Sequence, residues 1–155
     1  MLQQPGSGSL TRYLRPECVI VSQASTQEAV IHDLISAAER AGLLQEPAAF
    51  EQAVLGRERI VSTGIGLGMA IPHAKRPELK EFFICCALVP HGVEWKAIDG
   101  DPCHLVFLIG GPDDQPNAYL QLLSQLTAFL RDDERRKQLL KSRSANDILT
   151  ILKRS

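Results

Sequence analysis

Apolar residues recur at helical spacing near both ends of the chain and run together without interruption in its middle. The stretch 18–21 (CVIV) suits a short strand or an extended lead-in, and the quartet Ser25-Thr26-Gln27-Glu28 that follows reads as a capping box with Ser25 at the cap. A helix is predicted from there, its inner stripe formed by Val30, Ile31, Leu34, Ile35 and Ala38 and its stop marked by Gly42. A second helix is predicted from Pro47 to Gly56, with Phe50, Ala53 and Val54 inward, because proline suits the first helical position and glycine the position after the last. Runs at 59–63 (RIVST), 69–71 (MAI), 82–89 (FFICCALV) and 104–109 (HLVFLI) are separated by Gly, Pro and Asp, as strands are. The last two are almost continuously apolar, the pattern of central strands covered on both faces. Helical spacing then returns. Residues 117–130 place Leu120, Leu123, Leu126 and Leu130 on or near one face, a short charged helix fits 132–140, and a cap at Ser144 starts a last helix carrying Ile148, Leu149, Ile151 and Leu152.

Helices therefore flank a strand-rich centre, which predicts a layered α/β sandwich. The two long apolar strands have no helix between them, and this argues against a purely parallel, doubly wound sheet.

At 155 residues the chain is long enough for a single domain with its own core. Residues 1–9 (MLQQPGSGS) are polar and glycine-rich and read as a flexible N-terminal tail, with the domain spanning 10–155. Lys and Arg total 17 against 18 Asp and Glu, so there is no electrostatic case for coating nucleic acid or an anionic membrane. No apolar run reaches the ~20 residues of a membrane helix, and the N-terminus lacks the apolar stretch of a signal peptide, so the expected location is the cytoplasm. The cysteines at 18, 85, 86 and 103 mostly lie inside apolar runs, as buried free thiols in a reducing compartment do. Cys85 and Cys86, adjacent in a strand, should face opposite ways.

Candidate chemistry concentrates between Ser62 and Lys75. Gly64, Gly66 and Gly68 alternate along this stretch, where a backbone must turn tightly or approach something closely. The Gly-Lys-Ser/Thr ending of a nucleotide phosphate loop is missing, and the spacing is not that of the dinucleotide fingerprint. His73 follows Pro72, which donates no amide and restrains the residue before it, so the imidazole is presented from a constrained backbone. Such a histidine can attack a phosphoryl group if one ring nitrogen is exposed and unprotonated while the other is held as a donor. Arg57, Arg59, Thr63, Lys75 and Arg76 are the nearby candidates for donors to anionic oxygens. Of the other histidines, His91 falls in a turn and His32 within the first helix, whereas His104, opening a strand, either assists the site or is satisfied at a strand end. No pair among His73, Cys85, Cys103 and His104 has zinc-knuckle spacing, so neither a metal nor a cofactor is called for. The turn carboxylates Asp99, Asp101, Asp113 and Asp114 pair with no recognisable nucleophile.

From Arg57-Glu58 through Ser62-Thr63-Gly64-Ile65-Gly66 to Ala70-Ile71-Pro72-His73-Ala74, the chain resembles the phosphoacceptor signature of IIA domains of the bacterial sugar phosphotransferase system, in the fructose/mannitol and nitrogen-regulatory branch. The stretches 102–109 and 119–126 resemble that family's next strand and helix, and the likeness runs from about Leu10 to Leu152. The resemblance implies a mixed, about five-stranded sheet flanked by helices. It implies a phosphoryl carrier in which His73 receives the group from the histidine-containing phosphocarrier protein. The group then passes to a cysteine of a IIB domain, or the phosphorylated state signals to a regulated kinase or transporter. By the same resemblance Arg57 lies near the phosphoryl group and Thr63 organises the site. The family commonly has a second histidine where this chain has Tyr119, just before Leu120. A phenol can donate a hydrogen bond to phosphate but supplies no cation, so the support it gives is of a different kind, and His104 or His91 is left to compensate. A protein-binding regulatory module of the same fold that does not turn over phosphate is the alternative reading.

Overall fold

The computed structural model describes residues 10–154; the tail expected at 1–9 lies outside the described residues. In chain order the elements are β1 (Leu14–Val21), α1 (Gln27–Arg40), α2 (Pro47–Ile60), β2 (Gly64–Gly66), β3 (Met69–Ala70), β4 (His73–Lys75), β5 (Phe83–Val93), β6 (Cys103–Gly111), α3 (Pro116–Arg131), α4 (Asp133–Leu140) and α5 (Ala145–Arg154).

The two continuous apolar runs become the long strands β5 and β6, paired antiparallel from Phe83 opposite Gly110 to Val93 opposite Cys103. β1 adds in parallel to the outer side of β5, and β3 and β4 add in parallel to the other side of β6. β2 closes the edge antiparallel to β3. The sheet is thus mixed, as expected, with six strands among the described residues where the resemblance implied about five.

Alternation along β5 divides the core. Cys85, Ala87 and Val89 face α1 and α2, where Val30, Ile31, Leu34, Phe50 and Val54 wait. Ile84, Cys86 and Leu88 face α3, α4 and α5, against Leu122, Leu126, Leu130, Leu139 and Ile148. Cys85 and Cys86 do point to opposite faces, and all four cysteines are free and buried.

Several boundaries differ from expectation. The cap of α1 is Thr26, whose hydroxyl accepts from the Ala29 amide, one residue after the predicted Ser25. α2 does not stop at Gly56 but continues one turn to Ile60, where a mid-helix glycine costs only about 1 kcal/mol. The predicted strand at 59–63 is therefore absent: residues 59 and 60 are helical and 61–63 irregular. Conversely Gly64–Gly66, read from sequence as turn, is itself a strand.

Candidate functional site

β3 and β4 lie end to end along one edge of β6, Met69 opposite Leu105 and His73 opposite Ile109. Pro72 separates them because it has no amide to continue the ladder, while its carbonyl accepts from the Ile109 amide at 3.0 Å. His73 is the first residue of β4, and its ring turns back so that Nδ1 lies 2.7 Å from the Ile71 carbonyl. A carbonyl only accepts, so Nδ1 carries the proton and donates, and Nε2 keeps its lone pair. Burial lowers the imidazole below its ordinary 6.5; the bond to Ile71 and the Glu58 carboxylate oppose this, and the charges of Arg57 and Lys75 add to it. At neutral pH the His73 ring is uncharged, with its proton held on Nδ1.

The wall beside it is aromatic. Tyr119, in the first turn of α3, meets the His73 ring edge-on with centroids 5.9 Å apart and stacks on Phe82 at 6.3 Å. The Lys75 ammonium sits 5.3 Å from the Tyr119 ring centroid. Lys75 follows His73 by two residues and so emerges on the same side of β4. Burial holds the Tyr119 phenol well above its usual range, with Arg57 pulling the other way, so it remains a neutral donor. Phe82 packs over Gly111, where an added Cβ would come within 2.3 Å of its ring.

Arg57 lies in the last turn of α2, donates from Nη1 to the Val61 carbonyl at 2.9 Å, and acts electrostatically on both His73 and Tyr119. Thr63 is buried, and its hydroxyl is already committed, donating to the Glu58 carboxylate and accepting from the Trp95 indole at 3.2 Å. Arg76 is engaged in a bidentate pair with Glu78 at 2.8–3.1 Å, and Arg59 is exposed.

The remaining expected site residues are not brought to His73. His104 donates from Nδ1 to the Val89 carbonyl at 3.2 Å, and its position on β6 is five residues from Ile109, about 16 Å at the ~3.3 Å rise of a strand. It is satisfied near a strand end and cannot replace a second histidine. His91 is exposed in β5. Gly66 and Gly68 belong to the turn of the β2–β3 hairpin, where Gly66, Leu67 and Gly68 all have positive φ. The Gly68 carbonyl accepts from the amides of His104 and Leu105, which fixes this turn at the far end of β6. Of the three loop glycines only Gly64 lies at the near end, where an added Cβ would stand 2.9 Å from Ala97 Cβ.

Sequence reasoning missed the group that knits the near end together. Glu58 Oε1 accepts from the Thr63 hydroxyl and from the Trp95 indole at 3.2 Å, and Oε2 accepts from the Thr63 amide and the Gln27 amide, each at 3.1 Å. One signal was available: Trp95 is the only tryptophan of the chain, and a buried indole N–H needs an acceptor.

Residues 12–155 match the family described as phosphoenolpyruvate-dependent sugar phosphotransferase system, EIIA 2. The chain is 38% identical over 130 residues to the fructose-specific EIIABC component of Bacillus subtilis, covering 84% of this chain and 20% of that protein. It is 31% identical to the nitrogen regulatory protein of Bradyrhizobium diazoefficiens, covering 92% of this chain and 94% of the relative. Its fold superposes on the nitrogen regulatory protein IIA-Ntr of Neisseria meningitidis with a TM-score of 0.83 at 25% identity, over 91% of this chain and 97% of that one. No helix among the described residues is long and apolar enough to cross a membrane. With this match running through both halves of the sheet and the whole His73 segment, the chain belongs to the EIIA type-2 family of the phosphotransferase system.

Proposed function

We propose that this protein is a phosphoryl carrier whose acceptor is His73 Nε2 and whose donor is the phosphohistidine of a histidine-containing phosphocarrier protein. The observation that carries the reading is the hydrogen bond from Nδ1 to the Ile71 carbonyl, which leaves Nε2 as the nucleophilic nitrogen of a neutral ring. In the transfer the Nε2 lone pair forms the new N–P bond, and the donor's N–P bond breaks with its electron pair returning to the donor nitrogen. The proton on Nδ1 stays in place, and the positive charge that develops on the ring is met by the Ile71 carbonyl. Arg57 and Lys75 supply cationic charge toward the phosphoryl oxygens and the Tyr119 phenol a neutral donor, while Thr63 acts by organising the backbone. Little further machinery is required, since transfer between two protein nucleophiles rests on alignment and charge stabilisation.

The next acceptor is a cysteine of a IIB domain, or else the phosphorylated state is read by a regulated kinase or transporter. The likeness to the nitrogen regulatory protein of Bradyrhizobium supports the regulatory route, and that to the fructose-specific component of Bacillus the sugar route. We place the protein in the cytoplasm, which suits its four buried free thiols. Exposed Ile60, Val61 and Leu120 stand near Thr63 and Tyr119 in sequence and provide apolar surface for a docking partner.

The test is transfer of labelled phosphate from the phosphorylated carrier to wild type and to His73→Ala. Acid-labile, alkali-stable label on wild type and none on His73→Ala is expected. An unlabelled wild type beside an active control acceptor would leave the binding-module reading in its place.

A further inference from the structure

We infer that Glu58 is a positioning residue for His73, setting the ring's tautomer through a relay of backbone hydrogen bonds. The inference rests on the carrier reading for its purpose, though not for its geometry. Glu58 fixes Thr63 twice, through the amide at 3.1 Å and through the hydroxyl. Thr63, thus fixed, offers its carbonyl to the Ile71 amide at 3.0 Å, and the Ile71 carbonyl receives Nδ1–H of His73 at 2.7 Å. The path runs from the last turn of α2, across the start of β2 and the end of β3, to the first residue of β4.

The donor count separates positioning from chemistry. A carboxylate offers about four lone-pair sites. Those of Glu58 meet four donors: the Thr63 hydroxyl, the Thr63 amide, the Trp95 indole and the Gln27 side-chain amide. Both carboxylate oxygens are thereby engaged, the Trp95 N–H being shared with the Thr63 hydroxyl at 3.2 Å, and a carboxylate cannot donate to a phosphoryl oxygen. Its negative charge near an incoming dianion is an electrostatic cost, which the four-way anchor offsets by holding three separate segments together: α1 through Gln27, the start of β2 through Thr63 and the 94–102 loop through Trp95. A neutral residue at 58 would remove that cost and the anchor with it.

Nothing in this relay has spare length. Proline at 72 cannot donate, so the ladder at this edge of β6 is interrupted beside the nucleophile, and the orientation of the Ile71 carbonyl depends on what holds the Ile71 amide. That partner is the Thr63 carbonyl. If Thr63 drifts, the Ile71 carbonyl is free to turn from Nδ1 and the imidazole can move its proton to Nε2, which removes the attacking lone pair without altering any residue that touches phosphate.

The experiment is 15N NMR of the His73 imidazole in the full chain, for wild type, Glu58→Gln, Thr63→Val and Thr63→Ser, with initial rates of phosphoryl acceptance measured alongside. Wild type is expected as the Nδ1–H tautomer. Glu58→Gln, which puts an NH2 donor in place of one acceptor oxygen, and Thr63→Val, which deletes the hydroxyl that donates to Glu58 and accepts from the Trp95 indole, are expected to show the Nε2–H tautomer and acceptance slowed tenfold or more, at wild-type circular dichroism. Thr63→Ser keeps the hydroxyl and is expected to keep both tautomer and rate. A pure Nδ1–H tautomer in Glu58→Gln and Thr63→Val, or Nε2–H in wild type, overturns the inference. The NMR readout needs no phosphate donor, so a failure of the carrier reading, with wild type unlabelled, would be told apart from a failure of the relay.

Discussion

At the scale of single residues, the protonation of His73 is set by opposing neighbours, and each can be removed. Burial and the charges of Arg57 and Lys75 lower its pKa, while the Ile71 bond and Glu58 raise it. Only the neutral ring attacks phosphorus, so acceptance should be full at neutral pH and fall with acidification through a midpoint below 6.5. Arg57→Gln removes a lowering charge and should move this midpoint upward, while the plateau rate falls about tenfold for a lost charge-assisted contact. A pH–rate profile of labelling checks both, and a downward shift would mean that Arg57 does not act on His73 as placed here. Tyr119 calls for a subtler change. Tyr119→Phe keeps the stack on Phe82 and the edge contact with His73 and deletes only the hydroxyl, so an unchanged fold with slower acceptance would assign the phenol to the phosphoryl group, and an unchanged rate would remove it. Tyr119→His, which supplies an imidazole able to carry charge, is expected to label faster than wild type. His73 and Arg57 stand out as candidates in the sequence because a local pattern carries them. Glu58 does not, because its importance lies in partners 31 residues before it and 37 after it, brought together only by the fold.

At the scale of elements, the β2–β3 hairpin is where sequence and structure part most clearly. Three alternating glycines beside a candidate nucleophile invite a ligand loop, yet the turn sits at the opposite end of β6, and its glycines answer to backbone geometry. Gly66 and Gly68 take positive φ, and Leu67 between them does so at 61° with its side chain 46% exposed. That conformation costs an ordinary L-residue about 1–2 kcal/mol and asparagine less. Leu67→Asn should therefore stabilise the protein by up to about 1 kcal/mol in urea denaturation and leave phosphoryl acceptance unchanged. A large loss of acceptance would return the turn to the site. Gly64→Ala is the contrast: its Cβ would crowd Ala97 at the near end, where crowding typically costs about 1–3 kcal/mol, and acceptance should fall as well. Long periodic elements were legible because burial writes its period into the chain: α1, α3, β5 and β6 all appear close to where alternation or helical spacing put them. Short ones were not. The extra turn of α2 past Gly56, which carries Arg57 and Glu58, is tied by the long-range bonds of Glu58 to Gln27 and Trp95 rather than by propensity, and the β-branched residues at 60, 61 and 63 misled for the same reason.

At the scale of the whole molecule, one sheet serves two apolar layers, and its four thiols are distributed between them. Cys18, Cys85 and Cys103 lie in the layer under α1 and α2, and Cys86 in the layer under α3, α4 and α5. All four are 0% exposed, and burial raises Cys103 to about 12 and Cys86 further still. Cys85 is raised as it donates to Cys18, whose own thiol is lowered by accepting that bond. Because the thiolate is the reactive form, reaction requires both exposure and deprotonation, and the native state provides neither for Cys86 and Cys103. Cys18 is the sharper test of access, because the bond from Cys85 shifts its thiol downward where burial shifts those of Cys86 and Cys103 upward. The native protein should therefore leave all four thiols unmodified by an aromatic disulfide reagent at pH 8, and Cys18 should be no exception. In urea the four should become reactive along a single transition that coincides with loss of helix by circular dichroism, because β5 contributes alternate residues to both layers and neither layer can open while the other holds it flat. Peptide mapping of partly modified protein decides the matter. Equal modification of Cys86 and of the three thiols across the sheet supports one cooperative unit, and early modification of Cys86 alone would show that α3–α5 detach first, exposing Tyr119 and the wall of the His73 site before the rest of the fold is lost.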